Sequence, residues 1–173
     1  MHLKRHLIFF TLFIFFLSAC QNEQVSKVEV ELWFEGKIIN CDGIEVHGRD
    51  WNINTSAFYL SQLSVIENEK SKQLKFDKVS PDIHLVRLDK TECKTQFPIT
   101  GLPVYKDKQQ LAFKLGVPSS QNHLNPLTQK WPLEQPDMFW TWRNGHKFLR
   151  IDMHSEQDNW GYHLGSVGCV SSS

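Results

Sequence analysis

The chain has 173 residues, with 19 basic and 19 acidic side chains and a formal net charge of zero. That balance excludes the electrostatic footprint of a nucleic-acid-binding protein, which needs a basic face toward the phosphates. There is no internal repeat and no low-complexity segment beyond the tail Ser171-Ser172-Ser173, so the chain reads as a single domain with a real core.

The N-terminus reads as an export signal. Lys4 and Arg5 precede an apolar run, Leu7 to Leu17, too short for a comfortable membrane span. It ends in Leu17-Ser18-Ala19-Cys20, the pattern at which lipoprotein signals are cut and the cysteine acylated. Residues 1–19 are therefore expected to be a lipoprotein signal peptide, Cys20 the lipidated residue and 20–27 a polar tether. A lipid on Cys20 would hold the protein at a membrane surface without spanning it. Gln21, rather than Asp, suits the outer membrane of a Gram-negative cell, facing the periplasm.

Short strands follow. Val28 to Phe34 alternates apolar and polar residues, and Asn40-Cys41-Asp42-Gly43 reads as a turn. Ala57 to Ile66 is rich in β-formers and breaks at Glu67-Asn68-Glu69-Lys70. Ile83 to Leu88, Leu111 to Val117, Phe148 to Met153 and Tyr162 to Leu164 complete the set. No segment shows a helical period with caps. The predicted fold is mainly β, a single antiparallel sandwich or barrel-like domain over residues 28–170 with long irregular loops. The longest loop, 118–137, holds Pro118, Pro126, Pro132 and Pro136; a loop of this length in a compact domain is usually functional when ordered.

That loop runs into Met138-Phe139-Trp140-Thr141-Trp142. A thioether and two electron-rich rings in one short segment suit either a plain core or a copper(I) site, because copper(I) prefers soft sulfur and accepts imidazole. Beyond the signal the chain offers six imidazoles, His47, His84, His123, His146, His154 and His163, of which His123 lies in the loop. With Cys20 assigned to lipid, Cys41, Cys93 and Cys169 allow one disulfide and leave three pairings open. No GxSxG, HExxH or phosphate-cradling glycine loop appears, so no enzyme is indicated. Asp89, Glu92, Asp137 and Asp152 read as surface and turn residues.

The segments LGVP, NH, MFWTW and GHKFLRID, in order from Leu111, followed by HLGSVGC at 163–169, resemble the MbnP-like family. These are the four-Cys-motif proteins of metallo-mystery pair systems, found with methanobactin operons and elsewhere. Upstream, Phe58-Tyr59-Leu60-Ser61 and Leu88 to Cys93 resemble the family more loosely. The resemblance implies an exported copper-binding protein that is not itself an enzyme. It implies that Trp140 is oxidised to kynurenine by a partner di-haem enzyme of the cytochrome c peroxidase and MauG type. Copper(I) would then be held by Met138 and His123 beside the modified Trp140, with His154 as the alternative imidazole and Phe139 and Trp142 shielding the metal. The chain departs from the family pattern at Ala57, where the family has arginine, at His146 in place of tyrosine, at Val167 in place of threonine, and in Lys130-Trp131-Pro132. His146 is thus a possible added ligand. A metal-free interaction module on the same scaffold is the competing expectation.

Overall fold

The computed structural model describes residues 25–103, 108–140 and 145–166. Residues 1–19, expected to be a signal peptide, and Cys20, Trp142 and Cys169 lie outside the described residues. Within them the chain forms eleven strands and one four-residue helix, in antiparallel sheets that do not close into a barrel. The sandwich expectation holds; the barrel variant does not.

The spine is β5 (Arg49–Glu67), nine residues longer than the run legible as a strand. Its first half, Arg-Asp-Trp-Asn-Ile-Asn-Thr-Ser, is poor in β-formers, and pairing on both edges overrides that local preference. Along one edge lie β10 (Lys147–His154) and then β9 (Gln110–Leu115). Along the other lie β4 (Ile44–Val46), β7 (Ile83–Arg87) and β6 (Lys70–Gln73). β11 (Asn159–Gly165) flanks β10. A second sheet pairs β1 (Val25–Glu31) with β8 (Lys94–Thr100). β1 begins three residues inside the segment assigned to the tether. A small hairpin, β2 (Trp33–Phe34) and β3 (Lys37–Ile38), follows β1.

Both faces of β5 are covered. Phe58 and Leu60 face the β1–β8 sheet, in a core with Val86, Phe97 and Ile99. Ala57 and Tyr59 face the other way, toward Leu85, Val117, Leu133 and Met138. A bulge between Ser61 and Ser64, with Gln62 at φ 53°, then reverses the alternation. Leu63 and Val65 consequently rejoin the first core although their parity is opposite to that of Leu60. A third cluster surrounds the disulfide between Cys41 and Cys93, with Ile44 and Ile53. The structure thereby selects one of the three open cysteine pairings.

The first core contains a histidine. His84 stacks between Phe76 and Phe97, with ring centroids 5.5 and 4.7 Å away. Burial holds its imidazole below the ordinary value of 6.5, against the weaker upward pull of Asp77. The unfolded chain therefore binds a proton at this residue before the folded protein does. Stability from this site is intact above about pH 6.5 and is lost as pH falls from there through the folded value. We expect the urea midpoint to fall between pH 7.5 and pH 5.5, and the fall to be smaller in His84→Leu; an identical fall in the variant would assign the effect elsewhere.

Candidate functional site

The proline-rich segment is an ordered layer over the Tyr59 face of β5. It contains α1 (Ser119–Asn122) and 3-10 turns at Pro126–Thr128 and Pro136–Met138. Tyr59 donates to the Pro132 carbonyl at 2.9 Å and ties the middle of the segment to the spine. Burial pushes the Tyr59 phenol above its ordinary range, so this donor keeps its proton. In the Lys130-Trp131-Pro132 departure, Pro132 is buried and Trp131 remains 40% exposed.

Asn122 is the hub of the site. It is 1% exposed and joins three segments distant in sequence. Its Oδ1 accepts from the His146 amide at 2.9 Å, and its Nδ2 donates to Ser166 Oγ at 2.6 Å. The same Nδ2 lies 3.3 Å from His123 Nε2. Two glycines make this approach possible. Gly145 has φ +78°, and a Cβ there would sit 2.8 Å from both amide atoms of Asn122. A Cβ on Gly165 would come within 2.5 Å of the Trp140 ring, which lies flush against that backbone. The NH, FW, GH and GS parts of the motifs therefore meet at one end of the sheet.

The expected site residues behave differently from one another. Met138 is fully buried, packed with Tyr59, Leu85, Val117 and Leu133. Trp140 is half-buried, and its amide donates to the Gly145 carbonyl at 3.3 Å. His123, at the end of α1, is half-buried. Phe139 packs edge-on against His146 with centroids 4.8 Å apart.

His146 does not present a free nitrogen. Its Nδ1 lies 2.9 Å from the Asn122 carbonyl oxygen and its Nε2 3.0 Å from that of Leu133. Each nitrogen faces a carbonyl, so the neutral ring donates to one of the two and its other nitrogen faces no open space where a metal could sit. His154 ends β10, seven residues beyond Lys147, which places it roughly 23 Å along the strand from the Trp140 end. That separation removes it from the cluster. Met153 points to the disulfide core, also away from Trp140.

The structure adds a charged network that local sequence did not reveal. The Arg87 guanidinium donates two bonds to Asp137, at 2.7 and 2.9 Å, and Arg150 adds a third at 3.2 Å. Lys147 and Arg150 also donate to the Asp137 carbonyl at 2.9 and 3.0 Å. The residue immediately before Met138 is thus held by three cations. Hydrogen bonds from Arg87 hold the Asp137 carboxyl below the usual carboxylate range despite partial burial. Asp152 is opposed by burial, yet His163 and Arg150 draw its carboxyl lower; His163 Nε2 lies 2.7 Å from it. Asp137 and Asp152 are therefore network members rather than plain surface charges. Asp89 does cap a turn, accepting from the Thr91 and Glu92 amides. Among the described residues, no three His, Cys, Asp or Glu side chains gather as a metal site.

A family model described as MbnP matches residues 23–172, a span that contains every described residue. The chain belongs to the MbnP family. A solved structure, MbnP from Methylosinus trichosporium, has a similar fold, with a TM-score of 0.54 and 17% identity. The likeness covers 86% of this chain and 65% of that one, so this MbnP-family chain spans less than two thirds of that relative's length. No curated protein matches it. In this MbnP-family member the described NH, FW, GH and GS residues of the motifs lie together around Asn122 and Trp140, with Met138 packed beneath in the Tyr59 core.

Proposed function

We propose that this protein is a lipid-anchored, non-catalytic copper carrier of the bacterial periplasm, associated with a methanobactin-type system. The observation that carries the reading is the meeting of the NH, MFW and HLGS segments at one end of the sheet. Met138 and His123 would hold copper(I), the soft thioether and imidazole donors that this ion accepts. Trp140, oxidised to kynurenine by a di-haem partner, would lie beside it. The donor set fits the ion. The burial of Met138 would screen a metal from water, and the network around Asp137 would fix the backbone that carries the sulfur. Copper is cargo here, and the chain's own residues bind and shield it.

The test is export of the protein together with its di-haem partner, followed by a peptide mass map and copper analysis. Kynurenine at Trp140 with bound copper is expected. Met138→Leu removes the sulfur while nearly keeping the volume, so it should cost less than about 1.5 kcal/mol of stability. Copper affinity in that variant should fall more than tenfold, and Trp140→Phe should behave likewise. Full retention of copper in both folded variants, or an intact Trp140 without copper beside an active partner, would overturn the assignment.

A further inference from the structure

We propose that the opposite end of the sandwich carries a second site, a pocket for a small amphiphile with an apolar body and one anionic group. A cavity of about 660 Å³ opens there. Small-molecule sites occupy roughly 300–1,000 Å³ and are mostly apolar with a few placed polar groups. Its aromatic walls come from three separate parts of the chain: Trp33 and Phe34 on the β2–β3 hairpin, Trp51 on β5 and Trp160 on β11. Met153 of β10 is part of its lining and also packs on the disulfide cluster. Trp33 is 57% and Trp160 48% exposed, so two large rings stand open at the mouth instead of completing a core.

The charge of the lining selects the occupant. Among the described residues that line it, the polar side chains are His47 and Arg49, both basic, and no carboxylate is present. Arg49 meets Asp158 through Nη1, in a pair more than half exposed on both sides. An exposed pair of this kind is weak and readily exchanged for a ligand anion. An apolar body would rest on the rings, with its anionic group at Arg49. The concave shape suits a small molecule better than the broad, flat face of a folded partner.

This pocket shares no lining residue with the Trp140 cluster. Its lining residue on β10 nearest that cluster is Ile151, four residues along the strand from Lys147, roughly 13 Å away. Failure of one site therefore leaves the other untouched.

The experiment uses the full exported chain and 1-anilinonaphthalene-8-sulfonate, an aromatic body bearing one sulfonate. We expect saturable fluorescence enhancement at one probe per chain, weakened at least tenfold in Trp33→Ala and in Trp160→Ala. Arg49→Gln should weaken it several-fold. Palmitate should displace the probe, and uncharged hexadecanol should do so at least fivefold less well. Phe113→Ala removes a 56% exposed ring on β9, away from this cavity, and should bind the probe like the unmodified protein. Unaltered circular dichroism in each variant verifies folding, since all the substituted residues are surface-accessible. Absence of probe binding, indifference to Trp33 and Trp160, or equal loss in Phe113→Ala would overturn the site. Equal displacement by hexadecanol would overturn its anionic preference.

Discussion

Replacing Cys41 and Cys93 together by alanine is expected to cost about 4 kcal/mol of stability, the loop-entropy value for a closed loop of this length. The two residues are 52 apart in sequence, so the cross-link removes much freedom from the unfolded chain. Both are essentially fully buried, at 1% and 0% exposure, and they form the floor of the third core cluster with Ile44 and Ile53. The bridge also joins the segment before β4 to the turn after β7, where the Cys41 amide donates to the Thr91 carbonyl; the Leu32 amide, between β1 and β2, donates to the Cys93 carbonyl of the same turn. A domain of this size shifts by roughly 2–4 °C per kcal/mol, so Tm should drop by on the order of 10 °C. Thermal denaturation of the oxidised protein and the double variant measures this. A difference of only a degree or two would mean that the bridge contributes little beyond what the packing already provides.

His146→Ala is expected to cost about 3–5 kcal/mol, through two named losses. A neutral imidazole has one N–H, so one of the Asn122 and Leu133 carbonyls would lose its buried donor, at about 1–3 kcal/mol. A cavity would also open between Tyr59 and Phe139, whose rings pack edge-on against the imidazole at 5.7 and 4.8 Å. The comparison variant is His123→Ala. His123 is only half-buried at a loop position, so its removal should change stability by under about 1 kcal/mol while copper binding falls sharply. Denaturant midpoints together with copper titration separate the two roles. If His146→Ala left stability unchanged but abolished copper binding, the imidazole would be a ligand and the carbonyl contacts incidental.

The aspartates beside this cluster add an acid dependence of known sign. Asp137 and Asp152 are both held below their ordinary value of 3.8. Their contribution is therefore complete above about pH 3.8 and disappears as pH falls through the lower folded values. This loss comes at lower pH than the loss from His84.

Local sequence was informative wherever burial follows a simple period. The alternation of Val28 and Val30 with Glu29 and Glu31 made β1 readable, while β7 was readable as a run of β-formers, Ile83 to Arg87, although it is buried on both faces. The motif residues from Leu111 to Cys169 carried the family resemblance without any structure. Trp33 and Phe34 were read as the end of the first strand, whereas they form the separate β2; β3 and β4 were not legible, because two or three residues do not establish a period. The start of β5 was hidden by its asparagines, and its bulge at Gln62 broke the parity that would have marked one continuous face.

The sequence by itself determined that the chain is mainly β and which residues form its family signature. Tertiary structure decided the partners: Cys41 with Cys93, Arg87 with Asp137 across 50 residues, Tyr59 with Pro132 across 73. It also decided that Asn122 is a hub, that His146 is a link and that His154 stands apart. The physical reason is that a local pattern records which side of an element is buried. Which distant group lies on the other side depends on strand order and register, and these are set by the packing of the whole chain.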